Sequence, residues 1–267
     1  MKPIHTLRFR LLLAISFIFL SAGRGSAYEI TDNLSIGGVI SGAFQYQSIS
    51  DAPGFESRGR GALAIQPEID FVPTDNDEVF VKFGFGAGNG LMGEGQSPFI
   101  LALWAADLED DCKNINGRNR DYLLTAWYKH TFTFGEGHTL GVTGGIIDAT
   151  DYMDENAYSN DEYTQFMNEA LINAPNAFLP SYDLGGAVEW EIDRVSVKGV
   201  AMSLGSTGRE GQFDEPYNAY FMQVGYAADT ALGEGNYRLV GPGAVERCLS
   251  QSRRDAHGTA DVRHYLI

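Results

Sequence analysis

The sequence has little cysteine, few charged residues and no long apolar run, and each shortage excludes a class of protein. Only 2 of its 267 residues are cysteine, too few for a disulfide-rich scaffold. Charged residues make up 20% of the chain and aromatic residues 12%, a balance that argues against intrinsic disorder. No segment approaches the run of about 18 apolar residues that a transmembrane helix needs. The composition therefore predicts a folded, β-rich domain without a helical anchor.

Basic residues are scarce beside acidic ones. The chain has 19 Lys and Arg against 35 Asp and Glu, and its formal net charge is −16. A surface of this sign repels phosphate backbones, so nucleic acid is excluded as a partner. Neither a Ser-His-Asp arrangement nor a metal-ligand spacing stands out in the sequence. We therefore predict no catalytic residue, no metal and no cofactor.

The first 27 residues have the pattern of a secretory signal peptide. Basic residues up to Arg10 precede the apolar run 11–20, and the small residues Gly25 and Ala27 follow it. The run is too short to span a bilayer, and the small residues suit signal-peptidase cleavage. We therefore expect the chain to be exported and the mature protein to begin at Tyr28.

Apolar and polar residues alternate in segment after segment of the mature chain. In residues 34–47 the even positions, from Leu34 to Tyr46, are largely apolar, whereas the odd positions are mostly small or polar. A period of two is typical of a β-strand with one apolar face. The pattern predicts nine strands, within residues 34–47, 61–72, 79–88, 122–134, 139–146, 184–192, 195–201, 217–228 and 237–240.

The connections between these strands alternate between long and short. Residues 48–60, 89–121, 149–183 and 205–216 form the long ones, and the shortest is the pair Asp193 and Arg194. An up-and-down sheet with one end facing the outside and the other a periplasm has this alternation, whereas a soluble Greek-key sandwich does not need it. The predicted fold class is therefore all-β, an antiparallel up-and-down transmembrane β-barrel of the outer-membrane porin type.

The two strand faces admit two interpretations. In a membrane barrel the apolar face meets lipid and the polar face lines the lumen, whereas a soluble barrel points its apolar face inward. Aromatic residues lie on the apolar face near strand ends, as in the aromatic girdles of membrane barrels. This favours the membrane barrel, and a soluble core rich in Phe and Tyr is the alternative.

One stretch of the chain resembles a known family. Residues 148–166 read DATDYMDENAYSNDEYTQF, and the segments NAP at 173–175 and PSYDLG at 180–185 follow. This stretch resembles the signature loop of the carbohydrate-selective porins of the OprB type, and the resemblance extends in strand and loop order from about Leu34 to Val240. It implies a channel, not an enzyme, for diffusion of small sugars such as glucose across the outer membrane of a Gram-negative cell. The implied partners are small saccharides and outer-membrane lipid, and a homo-oligomer is compatible with it.

The chain also departs from this family. The resemblance implies a barrel of about sixteen strands, and the alternation ends near Gly241 after nine. We therefore divide the chain into a signal peptide (1–27), the N-terminal part of a porin barrel (28–240) and a non-family tail (241–267). We interpret the change as a truncated or frameshifted gene, with a natural soluble tail as the alternative. An odd strand count with open edges would leave backbone groups unpaired in lipid.

Two groups of residues are candidates for contact with a sugar, which needs hydrogen-bonding side chains and aromatic surfaces. The first lies on the less apolar strand faces and would line the pore: Gln66, Glu68, Asp70, Lys82, Trp127, Lys129, Glu189 and Lys198. The resemblance implies a second group, in a loop that constricts the pore: Asp151, Asp154, Asn156, Asn160, Asp161, Gln165 and Phe166. Residues 161–173 within this loop are predicted to form a short helix.

The acidic run that begins at Asp148 has other interpretations. Its carboxylates could be the acid pair of a glycosidase or a calcium loop, although the EF-hand spacing is not met. The alternative function is therefore a secreted or periplasmic β-rich protein that binds or cleaves glycans. An outer-membrane adhesin is a third hypothesis. The sequence leaves open which sugar would pass and whether Cys112 and Cys248 form a disulfide.

Overall fold

The computed structural model describes residues 27–48, 56–91, 109, 111–155, 163, 179–205, 216–230 and 233–247. Within them are two short 3-10 turns, Ile115–Gly117 and Ala149–Asp151, and eleven strands. The strands are β1 (Tyr28–Thr31), β2 (Leu34–Gln47), β3 (Arg58–Thr74), β4 (Asp77–Phe83), β5 (Phe85–Ala87), β6 (Leu123–Thr133), β7 (His138–Ile147), β8 (Asp183–Ile192), β9 (Val195–Leu204), β10 (Tyr217–Thr230) and β11 (Gly233–Arg247). The predicted signal peptide lies outside the described residues, apart from Ala27.

All eleven strands belong to one antiparallel sheet in which neighbours in sequence are neighbours in space. The order runs from β1 to β11, with β5 pairing beside β4 on β3. Tight turns set this order, as at the two-residue turn between β8 and β9, where Asp193 has a φ of 50°. The all-β, antiparallel, up-and-down prediction is thus confirmed. The sheet is not closed into a barrel, because β1 and β11 each have one neighbouring strand within the described residues.

Each of the nine predicted strands is present, but their number and limits needed correction. β1 was missed, because four residues are too few to display alternation. The predicted strand 79–88 breaks at Gly84, where an added Cβ would lie 2.7 Å from the Leu124 side chain. Counting β4 and β5 as one interrupted strand gives ten strands along the sheet. The expected number of nine strands was therefore too low for the described residues, and β1 and β11 run in opposite directions.

The last strand also extends further than its alternation indicated. β11 runs from Gly233 to Arg247 and pairs with β10 over its whole length, with an irregularity next to Pro242. The change in composition at Gly241 therefore does not coincide with the end of a strand. The division of the chain at that point stays a prediction.

The two faces of the sheet have opposite polarity, and the apolar face is the one exposed to solvent. Phe44 is 72% exposed and Leu239 is 77% exposed, with many other large apolar side chains on the same face. Polar side chains on the other face are covered, with Gln66 only 4% and Thr125 only 1% exposed. The covered face also carries an apolar cluster, but so many large apolar side chains on an exposed face are unusual in a soluble protein. We call the covered polar side the inner face and the exposed apolar side the outer face.

The main buried cluster lies on the inner face. Ile147, Tyr152 and Met153, at the end of β7 and just after it, pack against residues of β8, β9 and β10, among them Val200 and Phe221. The segment that follows β7 is therefore folded over the sheet. Among the described residues, none of the helical segments has the length and apolar character that a membrane-spanning helix needs.

Candidate functional site

The eight predicted strand-face residues all lie on the inner face. Strand register places them together, because directly opposed residues share a face: Glu68 is opposite Lys82, and Glu189 is opposite Lys198. Trp127 is opposite Phe80, and their rings stack with centroids 5.3 Å apart. Gln66, Asp70 and Lys129 share the face by the same alternation along β3 and β6. Their role as pore-lining residues stays a prediction.

Lysine and glutamate side chains form a chain of ion pairs across the inner face. Lys82 Nζ lies 3.3 Å from Glu68 Oε1, and Lys129 Nζ lies 2.7 Å from Glu189 Oε2. Lys198 Nζ lies 3.1 Å from Glu189 Oε1. Glu189 therefore accepts hydrogen bonds from two lysines.

Gly141 makes the contact between Lys129 and Glu189 sterically feasible. The two residues lie on β6 and β8, on either side of β7, and Gly141 of β7 is opposite Glu189. A Cβ at Gly141 would lie 2.8 Å from Lys129 Cε, closer than van der Waals contact permits. The lysine thus crosses β7 over a residue that has no side chain.

The loop between β7 and β8, residues 148–182, has its two ends tied together; we call it the inward loop. Asp148 Oδ1 accepts hydrogen bonds from Thr150 N at 2.9 Å, Thr150 Oγ1 at 2.6 Å and Ser181 Oγ at 3.1 Å. Ala149 N also donates to the Pro180 carbonyl at 3.0 Å. The loop therefore leaves and rejoins the sheet through a closed neck.

After its neck, the inward loop is bound to β9 and β10. Glu155 accepts hydrogen bonds from Lys198 Nζ at 2.7 Å and from Gln223 Nε2 at 3.0 Å. Asp154 N donates to Gln223 Oε1 at 2.9 Å. Asp151, at the end of the 3-10 turn, is exposed. The first part of the loop is thus fixed to the inner face by both charge and hydrogen bonds.

The inward loop also contacts the inner face at β3, several strands away from β9 and β10. Tyr163 Oη accepts a hydrogen bond from Gln66 Nε2 of β3 at 3.0 Å, and its ring packs on Ala62 and Ala64. Tyr163 follows Glu155 by eight positions, a span of at most about 29 Å. The inward loop therefore contacts the inner face at two places, on β9–β10 and on β3, through residues whose backbones are no further apart than that. Five of the predicted loop residues, Asn156, Asn160, Asp161, Gln165 and Phe166, and the predicted helix 161–173 apart from Tyr163 lie outside the described residues.

A buried carboxylate joins three connections at the end of the sheet where the long loops lie. Asp183 is fully buried and accepts hydrogen bonds from Arg118 Nε at 3.2 Å, Gly205 N at 2.8 Å and Leu184 N at 2.8 Å. Asn116 Nδ2 donates to the Ser181 carbonyl at 2.8 Å. The loop before β6 is in this way fastened to the end of the inward loop.

Burial changes the pKa of two groups near the neck, both outside the strands. Burial is the main cause of a raised pKa at Asp148, although hydrogen bonds from Thr150 and Ser181 and the charge of Lys82 oppose it. Burial likewise raises the pKa of Tyr152. Ionised Asp148 therefore costs stability, because the folded protein binds its proton more tightly than the unfolded chain does.

Asp148→Asn is expected to stabilise the protein at neutral pH, because the amide oxygen can still accept the three hydrogen bonds without a buried charge. In the wild type, stability should fall as pH rises from the ordinary carboxyl pKa towards the raised one, by about 1.4 kcal/mol for each pKa unit of the shift. The variant should lose this slope. Urea unfolding in detergent between pH 4 and pH 8 measures the pH dependence of the unfolding free energy. An unchanged slope in the variant would contradict the raised pKa of Asp148.

Several residues of this site were missed by sequence reasoning. Glu155 lies in the acidic run but was not among the predicted loop residues, and Tyr163 carried no local signal. Arg118 and Asp183 come from connections that are 65 residues apart. Alternation does place Gln223 on the polar face of β10, which is the signal that could have identified it.

No three His, Cys, Asp or Glu side chains lie together in a metal-binding arrangement within the part of the chain that the structure describes. Cys112 is buried, and Cys248 lies outside the described residues.

The chain is similar to a protein whose name states no function. An uncharacterized protein of Aquifex aeolicus (strain VF5) is 35% identical over 175 residues, which is 65% of this chain and 53% of the relative. The chain thus spans about half the length of that relative. No family model matches the chain, and no solved structure matches it. The relative's name states no function, so the interpretation of the site rests on its residues.

Proposed function

We propose that this chain forms the wall of an outer-membrane channel through which small sugars diffuse. The observation that carries the proposal is the exposed apolar outer face of the sheet, opposite a covered inner face on which the lysines and glutamates form ion pairs. A sheet of a soluble glycan-binding protein or glycosidase would bury its apolar face instead. A lipid bilayer is the solvent in which this arrangement is favourable.

Aromatic residues on the outer face support a membrane setting. At the end with the long loops they include Phe44, Tyr46 and Phe85, and at the end with short turns they include Phe132, Phe134, Trp190, Tyr226 and Tyr237, all exposed. Two such groups correspond to the girdles at the two interfaces of a bilayer. One polar cluster interrupts the outer face, where Asp77, the first residue of β4, binds His130. It lies beside the turn between β3 and β4, near one end of the sheet.

The inner face has the chemistry that a neutral sugar requires. Its ion pairs supply donors and acceptors side by side, and the stacked Phe80 and Trp127 rings supply an apolar surface. The inward loop contacts this face through Glu155 and Tyr163, and in the proposed channel it narrows the space above the face. Closure of the sheet into a barrel belongs to the proposal; the antiparallel directions of β1 and β11 are compatible with it.

Liposome swelling tests the proposal with protein purified from the outer-membrane fraction. Glucose should enter at least about twofold faster than glucuronate, an anion of similar size, because the inward loop is acidic. Deleting residues 151–166 should bring the two rates together and raise both. Lys129→Ala, which removes a positive charge from the wall, should slow glucuronate further.

Absence of swelling with either solute would contradict the channel. Equal entry of both solutes, unaffected by either change, would leave a general pore and contradict the preference for sugars.

A further inference from the structure

Lys198 is the lysine that links the wall to the inward loop. Its side chain is only 9% exposed, and its ammonium group lies between Glu189 of the wall and Glu155 of the loop. The other two lysines of the inner face, Lys82 and Lys129, have partners on the wall, Glu68 and Glu189. A buried ammonium group needs a carboxylate partner, because desolvation without one is costly.

Lys198 has one carboxylate partner on the wall, Glu189, which it shares with Lys129. Lys129 also has Glu78 directly opposite it in the register of β4 and β6. The second carboxylate at Lys198 is that of Glu155 in the inward loop. Gln223 binds both the Glu155 carboxylate and the Asp154 backbone N–H, which fixes residues 154 and 155 at the wall.

We propose that Lys198 is a positioning residue: its ammonium group, held by Glu189 of the wall, binds Glu155, keeps the start of the inward loop at the wall and so sets the width of the channel. The inference rests on the proposed function for its effect on width. The position of the loop itself can be measured without a channel.

Hydrogen exchange of the detergent-solubilised protein, followed by mass spectrometry, tests the position of the loop. Glu155→Gln should raise the exchange of backbone amides in residues 149–155 by roughly tenfold, because a charge-assisted contact is lost. Asp229→Asn is the matched control: it also changes a carboxylate to an amide, at an exposed pair with Arg194 whose N–O distance is 2.6 Å. Its exchange in residues 149–155 should equal that of the wild type.

Lys129→Met tests whether Glu189 and Glu155 compete for Lys198, without changing either residue of the Lys198–Glu155 contact. Lys129 forms its ion pair on the wall with Glu189, and its removal leaves Glu189 free to neutralise Lys198 alone. The backbone amides of residues 149–155 should then exchange faster than in the wild type, but by a smaller factor than in Glu155→Gln. In the double variant Glu155→Gln/Lys129→Met, exchange should not exceed that of Glu155→Gln, because both changes act on the one contact between Lys198 and Glu155.

Single-channel conductance in planar bilayers tests the effect on width. Glu155→Gln should increase the conductance, and Lys198→Arg, which keeps the charge, should leave the loop exchange close to that of the wild type. A wild-type protein without conductance would overturn the proposed function, whereas the exchange measurements would still decide the role of Lys198. Unchanged exchange in Glu155→Gln, or fully additive effects in the double variant, would overturn the inference.

Discussion

Asp183→Ala is expected to lower the free energy of unfolding by about 3–5 kcal/mol. The carboxylate is fully buried, and its removal leaves the Arg118 guanidinium without its ion-pair partner. It also removes the acceptor for the N–H groups of Gly205 and Leu184, of which the first is buried. A buried donor without a partner costs more than the hydrogen bond itself contributed.

Urea unfolding in detergent, followed by tryptophan fluorescence, measures this loss. Asp121→Ala is the matched control, because the Asp121 carboxylate also accepts a backbone N–H, from Asn114 at 2.8 Å, but in an exposed setting. It should cost about 1 kcal/mol or less. A similar loss of unfolding free energy in both variants would mean that burial is not the reason why Asp183 stabilises the protein.

The strands could be predicted from the sequence because a sheet with two unlike faces repeats its polarity every two residues. β2 is the clearest case, since its fourteen residues alternate throughout. The same rule could not find β1, which is four residues long, or the end of β11, where Gly241 and Pro242 interrupt the pattern. Those limits depend on pairing with the neighbouring strand, which is not visible in a local pattern.

The inner-face residues could also be predicted, but most of their contacts could not. The Glu189–Lys198 pair follows from a two-residue turn, which fixes the register of β8 and β9. The contact from Lys129 to Glu189 depends on Gly141 in the strand between them. The contact of Tyr163 with Gln66 joins residues 97 apart, so no local pattern indicates it. Side-chain contacts across three strands or across a loop depend on the tertiary structure, so the local sequence does not predict them.

A charge on the exposed outer face would distinguish most clearly between a sheet in lipid and a sheet in water. Val188 lies in the middle of β8, and its outer-face neighbours in the register are Val142 and Gly199. It is exposed in the isolated chain. If this face meets water, a charge at Val188 is an ordinary surface change; if it meets lipid, the charge must be desolvated.

Val188→Arg is therefore expected to disrupt assembly into the outer membrane, at a cost of about 2–4 kcal/mol near the middle of the bilayer. Glu191→Arg is the matched control, since it puts an arginine on the same strand but on the inner face. The measurement is the amount of each variant in the outer-membrane fraction relative to wild type, together with its protection from added protease. Val188→Arg should be depleted and degraded, and Glu191→Arg should be retained. If Val188→Arg is recovered in full as a folded protein, whether in the membrane or in the periplasmic supernatant, the outer face does not meet lipid, because an exposed surface substitution usually changes stability by only about 0.5 kcal/mol.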